Sequence, residues 1–163
     1  MVNGNRIKIA VTGNRESNFK NPEIGREATY KILSNYGKNI ILASGMSPKG
    51  GVDIWCKEYA KINNIPFIGF PPRECNTRGF RERNINMVTW CNKLIAIFGE
   101  YVRYKSGTFY TLRYAVNMHK HVSIYVVDTT KAEIIQLIPK FYLKKEKLRI
   151  KEFTIFKKWK IRG

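Results

Sequence analysis

Five short apolar runs alternate with helix-like segments over the first 128 residues of the chain. In each helix-like segment apolar residues recur three and four positions apart, which is the spacing of one helix face. Strands that alternate with helices form right-handed β-α-β crossovers, which place the strands parallel in one sheet. We therefore predict an α/β fold with a parallel sheet of about five strands and helices on both faces. The predicted strands are 6–12, 39–44, 65–70, 93–98 and 121–127, and the predicted helices are 22–36, 52–63, 80–91, 109–118 and 130–138.

The length of 163 residues fits one folded domain with a substantial core. We assign residues 1–128 to the nucleotide-binding unit and residues 129–163 to a basic carboxyl-terminal extension of the same domain. Beyond the helix predicted at 130–138, the extension alternates basic with apolar and aromatic residues, so either strand or helix fits it. Its composition suits contact with nucleic acid. An edge element that packs its apolar side on the core and solvates its lysines is the alternative.

The net charge of +18 is the extreme feature of the composition. Eleven basic and three acidic residues lie in 131–163, so most of the excess is spread over the rest of the chain. Such a charge attracts polyanions, with an affinity that falls steeply as salt rises. Alternatively, the charge is a by-product of a composition rich in Lys, Asn and Ile.

Cysteine and histidine patterns give no sign of a metal site. Three cysteines without a CxxC spacing, Cys56, Cys75 and Cys91, indicate free thiols in a reducing compartment. His119 and His121 are interpreted as solvent-facing side chains. The chain has no apolar run long enough for a transmembrane segment and no signal-peptide pattern at its start, so we expect a cytoplasmic protein.

Four loops follow predicted strands and are rich in Gly, Ser, Thr, Asn and Arg. In a parallel sheet these loops meet beyond the carboxyl ends of the strands, where ligands bind. The loop 101–108 ends in Lys105-Ser106-Gly107-Thr108 immediately before a helix, whose first N–H groups and positive pole favour an anion. A Ser-Gly-Thr turn that merely caps a helix is the alternative. The convergence of the loops predicts a phosphate or nucleotide site.

Five short motifs in these loops resemble those of the SLOG superfamily of Rossmann-like nucleotide-binding proteins. The resemblance covers about residues 6–128. The matching residues are Gly13 and Arg15, Ser44, Gly45, Gly51 and Asp53, Pro71, Phe80, Arg83 and Asn84, and Ser106, Gly107 and Thr108. The resemblance implies a Rossmann-like fold with a nucleotide pocket. The residues that we predict to bind nucleotide or phosphate are Gly13, Asn14, Arg15, Ser44, Gly45, Gly50, Gly51, Asp53, Arg83, Asn84, Lys105, Ser106, Gly107 and Thr108.

Two SLOG relatives imply different functions. The motifs are most similar to those of the DNA-processing protein A family, which binds single-stranded DNA and pairs Arg with Asn as Arg83-Asn84 do here. The lysine-decarboxylase-like phosphoribohydrolases of the LOG family are more distant. Their catalytic Glu position is occupied by Thr111, and their Pro-Gly-Gly is absent.

Three functions remain open at this point. The first is a module that binds single-stranded DNA or RNA, with Tyr101, Tyr104 or Phe109 stacking on a base. The second is an enzyme that cleaves a nucleotide N-glycosidic bond, with Glu100 or Asp53 as weak catalytic candidates. The third is a sensor that holds an AMP-like nucleotide and engages a partner protein or membrane surface through its basic tail. A homodimer is expected in each case, through helix faces that carry Tyr30, Tyr36 or Tyr114.

Overall fold

A single seven-stranded sheet organises the chain. The structure is a computed structural model that describes residues 5–162. The elements in chain order are β1 (Ile7–Gly13), α1 (Pro22–Ser34), β2 (Ile40–Ser44), α2 (Val52–Ile62), β3 (Phe67–Gly69), α3 (Thr77–Trp90), β4 (Lys93–Gly99), α4 (Gly107–Asn117), β5 (His121–Asp128), β6 (Glu133–Lys144) and β7 (Lys147–Lys160), with a short 3-10 turn at Glu16–Asn18. The strand order is β3-β2-β1-β4-β5-β6-β7.

The first five strands are parallel, as the alternation of apolar runs and helices predicts. Most residues of β1, β2, β4 and β5 are buried because helices cover both faces of the sheet, whereas β3 at the sheet edge is partly exposed. Ile32 of α1 and Trp55 of α2 belong to the core on one face, while Met87 of α3 and Leu112 of α4 belong to the core on the other. The predicted α/β fold is confirmed.

Side-chain caps fix where several helices begin. Asn21 and Asn76 accept hydrogen bonds from the backbone N–H groups of Ile24 and Gly79, so α1 starts at Pro22 and α3 at Thr77. The start of α3 is therefore three residues earlier than predicted, because Asn76 caps the helix. Ile62, at the last position of α2, is 66% exposed.

The predicted helix at 130–138 is wrong, because this segment begins β6. Ile134 packs into the core on the α1 face, whereas Ile135 and Leu137 pack on the α4 face, which is the alternation of a strand. β6 runs antiparallel to β5 as far as Leu137, so Pro139 lies beyond that pairing. β7 then pairs with β6 along its length. Strand and helix both fit the extension by sequence, and the structure shows that it is strand.

Two of the tyrosines expected on exposed helix faces are instead partly buried. The ring of Tyr30 packs 5.5 Å from that of Tyr59, and the hydroxyl of Tyr36 lies 2.6 Å from that of Tyr125. Tyr114 is 38% exposed. Across residues 5–162, no helix has the length and apolar character needed to cross a membrane.

Candidate functional site

An open cleft of about 460 Å³ lies at the carboxyl ends of the parallel strands. Loops after β1, β2 and β4 line it, together with one side of α3. β1 lies between β2 and β4, so the cleft occupies the position at which strand order reverses, the usual ligand site of such sheets. Eleven of the fourteen predicted binding residues line it: Gly13, Asn14, Arg15, Gly45, Asp53, Arg83, Asn84, Lys105, Ser106, Gly107 and Thr108.

The other three predicted binding residues do not line the cleft. The buried hydroxyl of Ser44 donates a hydrogen bond of 2.7 Å to the backbone carbonyl of Asp53. Gly50 and Gly51 have φ angles of 71° and 83°, which glycine adopts without strain. At Gly51 a side chain would also collide with the backbone of Asn14, so this glycine lets the two loops pack together.

The side chain and the backbone of Asn14 both form hydrogen bonds that hold the cleft together. Its side-chain oxygen accepts a hydrogen bond of 2.9 Å from the Gly99 N–H, and its amide donates one of 3.3 Å to the Thr108 hydroxyl. Its backbone carbonyl accepts from the Val52 N–H at 3.2 Å. The side chain is 3% exposed, so its main contribution is to fix the loop after β1 against the ends of β4 and α4.

The first turn of α4 faces the cleft. The Ser106 hydroxyl accepts from the Phe109 N–H at 3.3 Å and donates to the Arg103 carbonyl at 2.6 Å, which caps the helix. No hydrogen bond found within residues 5–162 uses the Gly107 or Thr108 N–H as donor. These two N–H groups and the helix dipole favour a bound anion. The Ser-Gly-Thr turn thus caps the helix and also lines the cleft.

Arg83 is held by its neighbours on the opposite side of the cleft. Its guanidinium donates a hydrogen bond to the Gly45 carbonyl and another of 2.7 Å to the Asn84 side-chain oxygen. A side chain at Gly45 would require this guanidinium to move. Burial lowers the pKa of Arg83, and the nearby Asp53 opposes that shift.

Asp53 is a buried carboxylate in a cleft that is otherwise basic. Burial raises its pKa to about 6, although the charge of Arg83 and a hydrogen bond of 3.1 Å from the Ser47 N–H both lower it. A group with this pKa can hold or release a proton near neutral pH. The cations that line the cleft are Arg15, Lys49, Arg83 and Lys105, so its net charge favours an anionic ligand.

Glu100, the other catalytic candidate, is not among the residues that line the cleft. Its carboxylate accepts hydrogen bonds from the Lys20 N–H at 2.7 Å, from the Thr129 N–H at 3.0 Å and from the Thr129 hydroxyl. It therefore ties together the segments that precede α1 and follow β5. This geometry favours a structural role for Glu100 over a catalytic one.

The three aromatic residues proposed for base stacking also lie outside the cleft lining. Phe109 is 6% exposed and belongs to the core, because α4 turns it toward the sheet. The ring of Tyr101 is covered by the Arg103 guanidinium at 4.2 Å. Tyr104 lines a separate groove. The aromatic ring in the cleft is that of Phe80, with the Arg83 guanidinium 5.5 Å from its centre.

Sequence reasoning missed several residues that line the cleft, among them Asn18, Ser47, Lys49 and Met87. Ser47 and Lys49 belong to the loop after β2, so the rule that such loops meet at the ligand site could have found them. Asn18 lies in the 3-10 turn at Glu16–Asn18, for which the sequence has no clear signal. Among the described residues, no group of three or more His, Cys, Asp or Glu side chains could hold a metal ion.

Other proteins of known structure share this fold. A molybdenum cofactor carrier protein from Chlamydomonas reinhardtii is similar, with a TM-score of 0.54, 20% identity, and coverage of 73% of this chain and 76% of that protein. The structural-genomics target TM1055 gives a TM-score of 0.53 and 18% identity over 71% and 72% of the two chains. No protein-family model and no curated protein matches the sequence. At these identities the similarity shows a Rossmann-like fold.

Proposed function

We propose that the cleft binds the phosphate of a nucleotide. The observation that carries this proposal is that Arg15 and Lys105 line the same cleft as Gly107 and Thr108, whose N–H groups have no hydrogen-bond partner among the described residues. The cleft volume of about 460 Å³ is in the range of small-molecule sites. The phosphate would accept hydrogen bonds from the α4 amides, and the two cations would neutralise it.

Two similarities support a ligand-binding role and membership of the SLOG superfamily. The motif residues noted in the sequence come together at one end of a Rossmann-like sheet, as the SLOG resemblance implies. One protein of similar fold is described as a molybdenum cofactor carrier, which is consistent with small-molecule binding on this fold. The proteins of similar structure do not favour the DNA-processing protein A family over other SLOG proteins.

We infer that the nucleotide is bound as part of single-stranded DNA or RNA, although a free AMP-like nucleotide would satisfy the same groups. The charge of +18 supports a polymeric ligand, because a single nucleotide needs only the few cations of the cleft. The cleft is open, so a strand could enter and leave it. Displacement of a labelled oligonucleotide by excess AMP would support a shared site. Unchanged binding of the oligonucleotide would show that the two ligands bind at different sites.

Calorimetric titration with AMP and with adenosine tests the phosphate site. AMP is expected to bind at least tenfold more tightly than adenosine, which lacks the phosphate. The double variant Arg15→Gln/Lys105→Gln should lose this preference, because both replaced side chains are exposed cations of the cleft. The matched control is Lys57→Gln/Lys61→Gln, which removes the same charge from the exposed face of α2. Equal affinity for AMP and adenosine would refute the proposal.

Cleavage of a nucleotide N-glycosidic bond is a second candidate function, favoured by the Asp53 carboxyl with its pKa of about 6 in the cleft. Such a carboxyl could protonate the leaving base. Incubation with nucleoside monophosphates should then release free base, and Asp53→Asn should abolish the release. Absence of released base from the wild-type protein would refute this activity, and nucleotide binding would remain as the proposed function.

We also propose that the protein pairs as a homodimer through the groove between α3 and α4. Phe80, Ile85 and Tyr114 line this groove of about 590 Å³, together with Tyr110, which is 54% exposed. An exposed apolar surface of this kind suits a partner surface. Light scattering should give twice the monomer mass, and Tyr110→Asp should reduce it to the monomer value.

A further inference from the structure

A second groove, of about 380 Å³, lies between α4 and the outer half of the β6–β7 hairpin. β5 pairs with β6 only as far as Leu137, so the hairpin extends beyond the rest of the sheet. We refer to this space as the hairpin groove. The residues that define it here are Tyr104, Phe109, Arg113, Tyr142, Lys144 and Arg149.

The hairpin groove is basic, and one of the arginines that line it has a buried donor without a partner. Arg113, Lys144 and Arg149 line it, and no carboxylate is among its lining residues. The Nε–H of Arg149 is buried and has no hydrogen-bond partner within residues 5–162. A buried donor without a partner is unfavourable. The three cations that line the groove favour an anionic ligand.

Two exposed tyrosine rings stand beside these cations. Tyr104 is 54% exposed and Tyr142 is 46% exposed. The Tyr104 ring is supported by Phe109 at 5.0 Å and by Phe153 at 6.1 Å between ring centres. Tyr142 is directly opposite Arg149 in the register of the hairpin. Aromatic rings next to cations are the combination that binds single-stranded nucleic acid, with bases on the rings and phosphates on the cations.

Contacts between α4 and the hairpin hold the groove in shape. The Asn117 side chain donates a hydrogen bond of 3.1 Å to the Leu148 carbonyl and accepts one of 2.9 Å from the Leu148 N–H. Leu148 and Ile150 also pack on the core beneath α4. The hairpin is therefore fixed to α4, and binding in the groove does not require it to fold.

The groove and the cleft share one loop. Tyr104 lines the groove, whereas Lys105 and Ser106, the next residues along the chain, line the cleft. A single strand with one nucleotide in the cleft can thus continue past Tyr104 into the groove. A flat membrane surface would not place a group inside this concave space.

We propose that the hairpin groove is a second binding site for single-stranded nucleic acid, which stacks bases on Tyr104 and Tyr142 and binds phosphates at Arg113, Lys144 and Arg149. This inference rests on the proposed nucleic-acid function and assigns part of it to a surface outside the cleft. It also gives a role to the basic and aromatic extension, which the cleft leaves unused.

Fluorescence anisotropy of a labelled oligothymidylate of 15 nucleotides, measured across a salt series, tests the groove. The groove variant Lys144→Gln/Arg149→Gln should reduce the salt slope of the affinity by about 1.4, because each phosphate contact on a single strand contributes about 0.7. Tyr142→Leu should weaken binding at least fivefold, through lost stacking. The control Lys57→Gln/Lys61→Gln, with the same change in net charge, should have a smaller effect. Circular dichroism checks that each variant is folded.

The cleft variant Arg15→Gln/Lys105→Gln separates the two proposals. If it weakens oligonucleotide binding while the groove variant behaves like the control, the groove is refuted and the cleft proposal stands. If the groove variant alone weakens binding and AMP affinity is unchanged, the groove is supported independently of the cleft. Failure of the wild-type protein to bind the oligonucleotide at low salt, with binding to phosphatidylserine vesicles instead, would refute the groove in favour of a membrane contact.

Discussion

The Asn14 amide donates a hydrogen bond of 3.3 Å to the Thr108 hydroxyl, joining the loop after β1 to the first turn of α4. The two residues are 94 positions apart in sequence and both are buried. This bond, together with the one from the Gly99 N–H to the Asn14 side chain, sets the position of the first turn of α4 relative to the sheet. The cleft therefore depends on a residue whose polar atoms are already used within the protein.

Asn14→Ala is expected to reduce the free energy of unfolding by about 2 to 3 kcal/mol, because it leaves the buried Gly99 N–H without its acceptor. Denaturant unfolding measures the loss. Asn39→Ala, at an exposed position before β2, should change stability by less than about 0.5 kcal/mol. Equal stability of the two variants would show that the Asn14 bonds contribute little.

Asp53 should make the protein less stable as pH rises. Its pKa is about 6 in the folded protein, whereas an Asp carboxyl in the unfolded chain has its ordinary value of 3.8, so between these values the folded state binds more protons than the unfolded state. Stability from this group is present at low pH and falls by about 3 kcal/mol as pH rises through 6. Asp53→Asn should remove that loss, so the variant gains stability relative to wild type between pH 4 and pH 7. If the stabilities of the two proteins change with pH in the same way, the raised pKa of Asp53 is contradicted.

Ser106→Ala should lower stability by about 1 kcal/mol, the usual cost of losing a helix cap, and should also weaken AMP binding at least threefold. Asn76→Ala is the matched control, since Asn76 caps α3 in the same way through the Gly79 N–H at 2.8 Å. Asn76 is outside the cleft lining, so its replacement should have the same effect on stability and leave AMP affinity unchanged. Thermal unfolding and calorimetry give the two values. If both variants lose AMP affinity to a similar extent, the loss in Ser106→Ala is due to reduced stability and not to a lost contact with AMP.

Glu100→Ala should lower the free energy of unfolding by about 2 to 4 kcal/mol, because three hydrogen bonds to a carboxylate are lost. AMP affinity should stay within twofold of wild type, since Glu100 lies outside the cleft lining. Glu82→Ala, which removes an exposed ion pair of 3.6 Å with Arg73, should change stability by less than about 0.5 kcal/mol. Loss of AMP binding with unchanged stability would show that Glu100 contributes to the nucleotide site.

The sequence alone determined the parallel part of the sheet and the general position of the cleft. Buried parallel strands require continuous apolar runs, and the loops that follow them must meet at one edge of the sheet. Local sequence patterns therefore predict both the strands and the position of the cleft. The motif residues Arg15, Arg83 and Ser106 were found in this way, and the structure brings them together.

Only the tertiary structure decided what individual side chains do. Asn14, Glu100 and Phe109 fit a ligand site by residue type, yet contacts with residues distant in sequence assign Asn14 and Glu100 to hydrogen bonds within the protein and Phe109 to the core. The segment 130–138 is a strand because β5 and β7 supply its backbone partners. Such long-range pairing leaves little local signal, since a short apolar segment is compatible with either helix or strand until its partners are known.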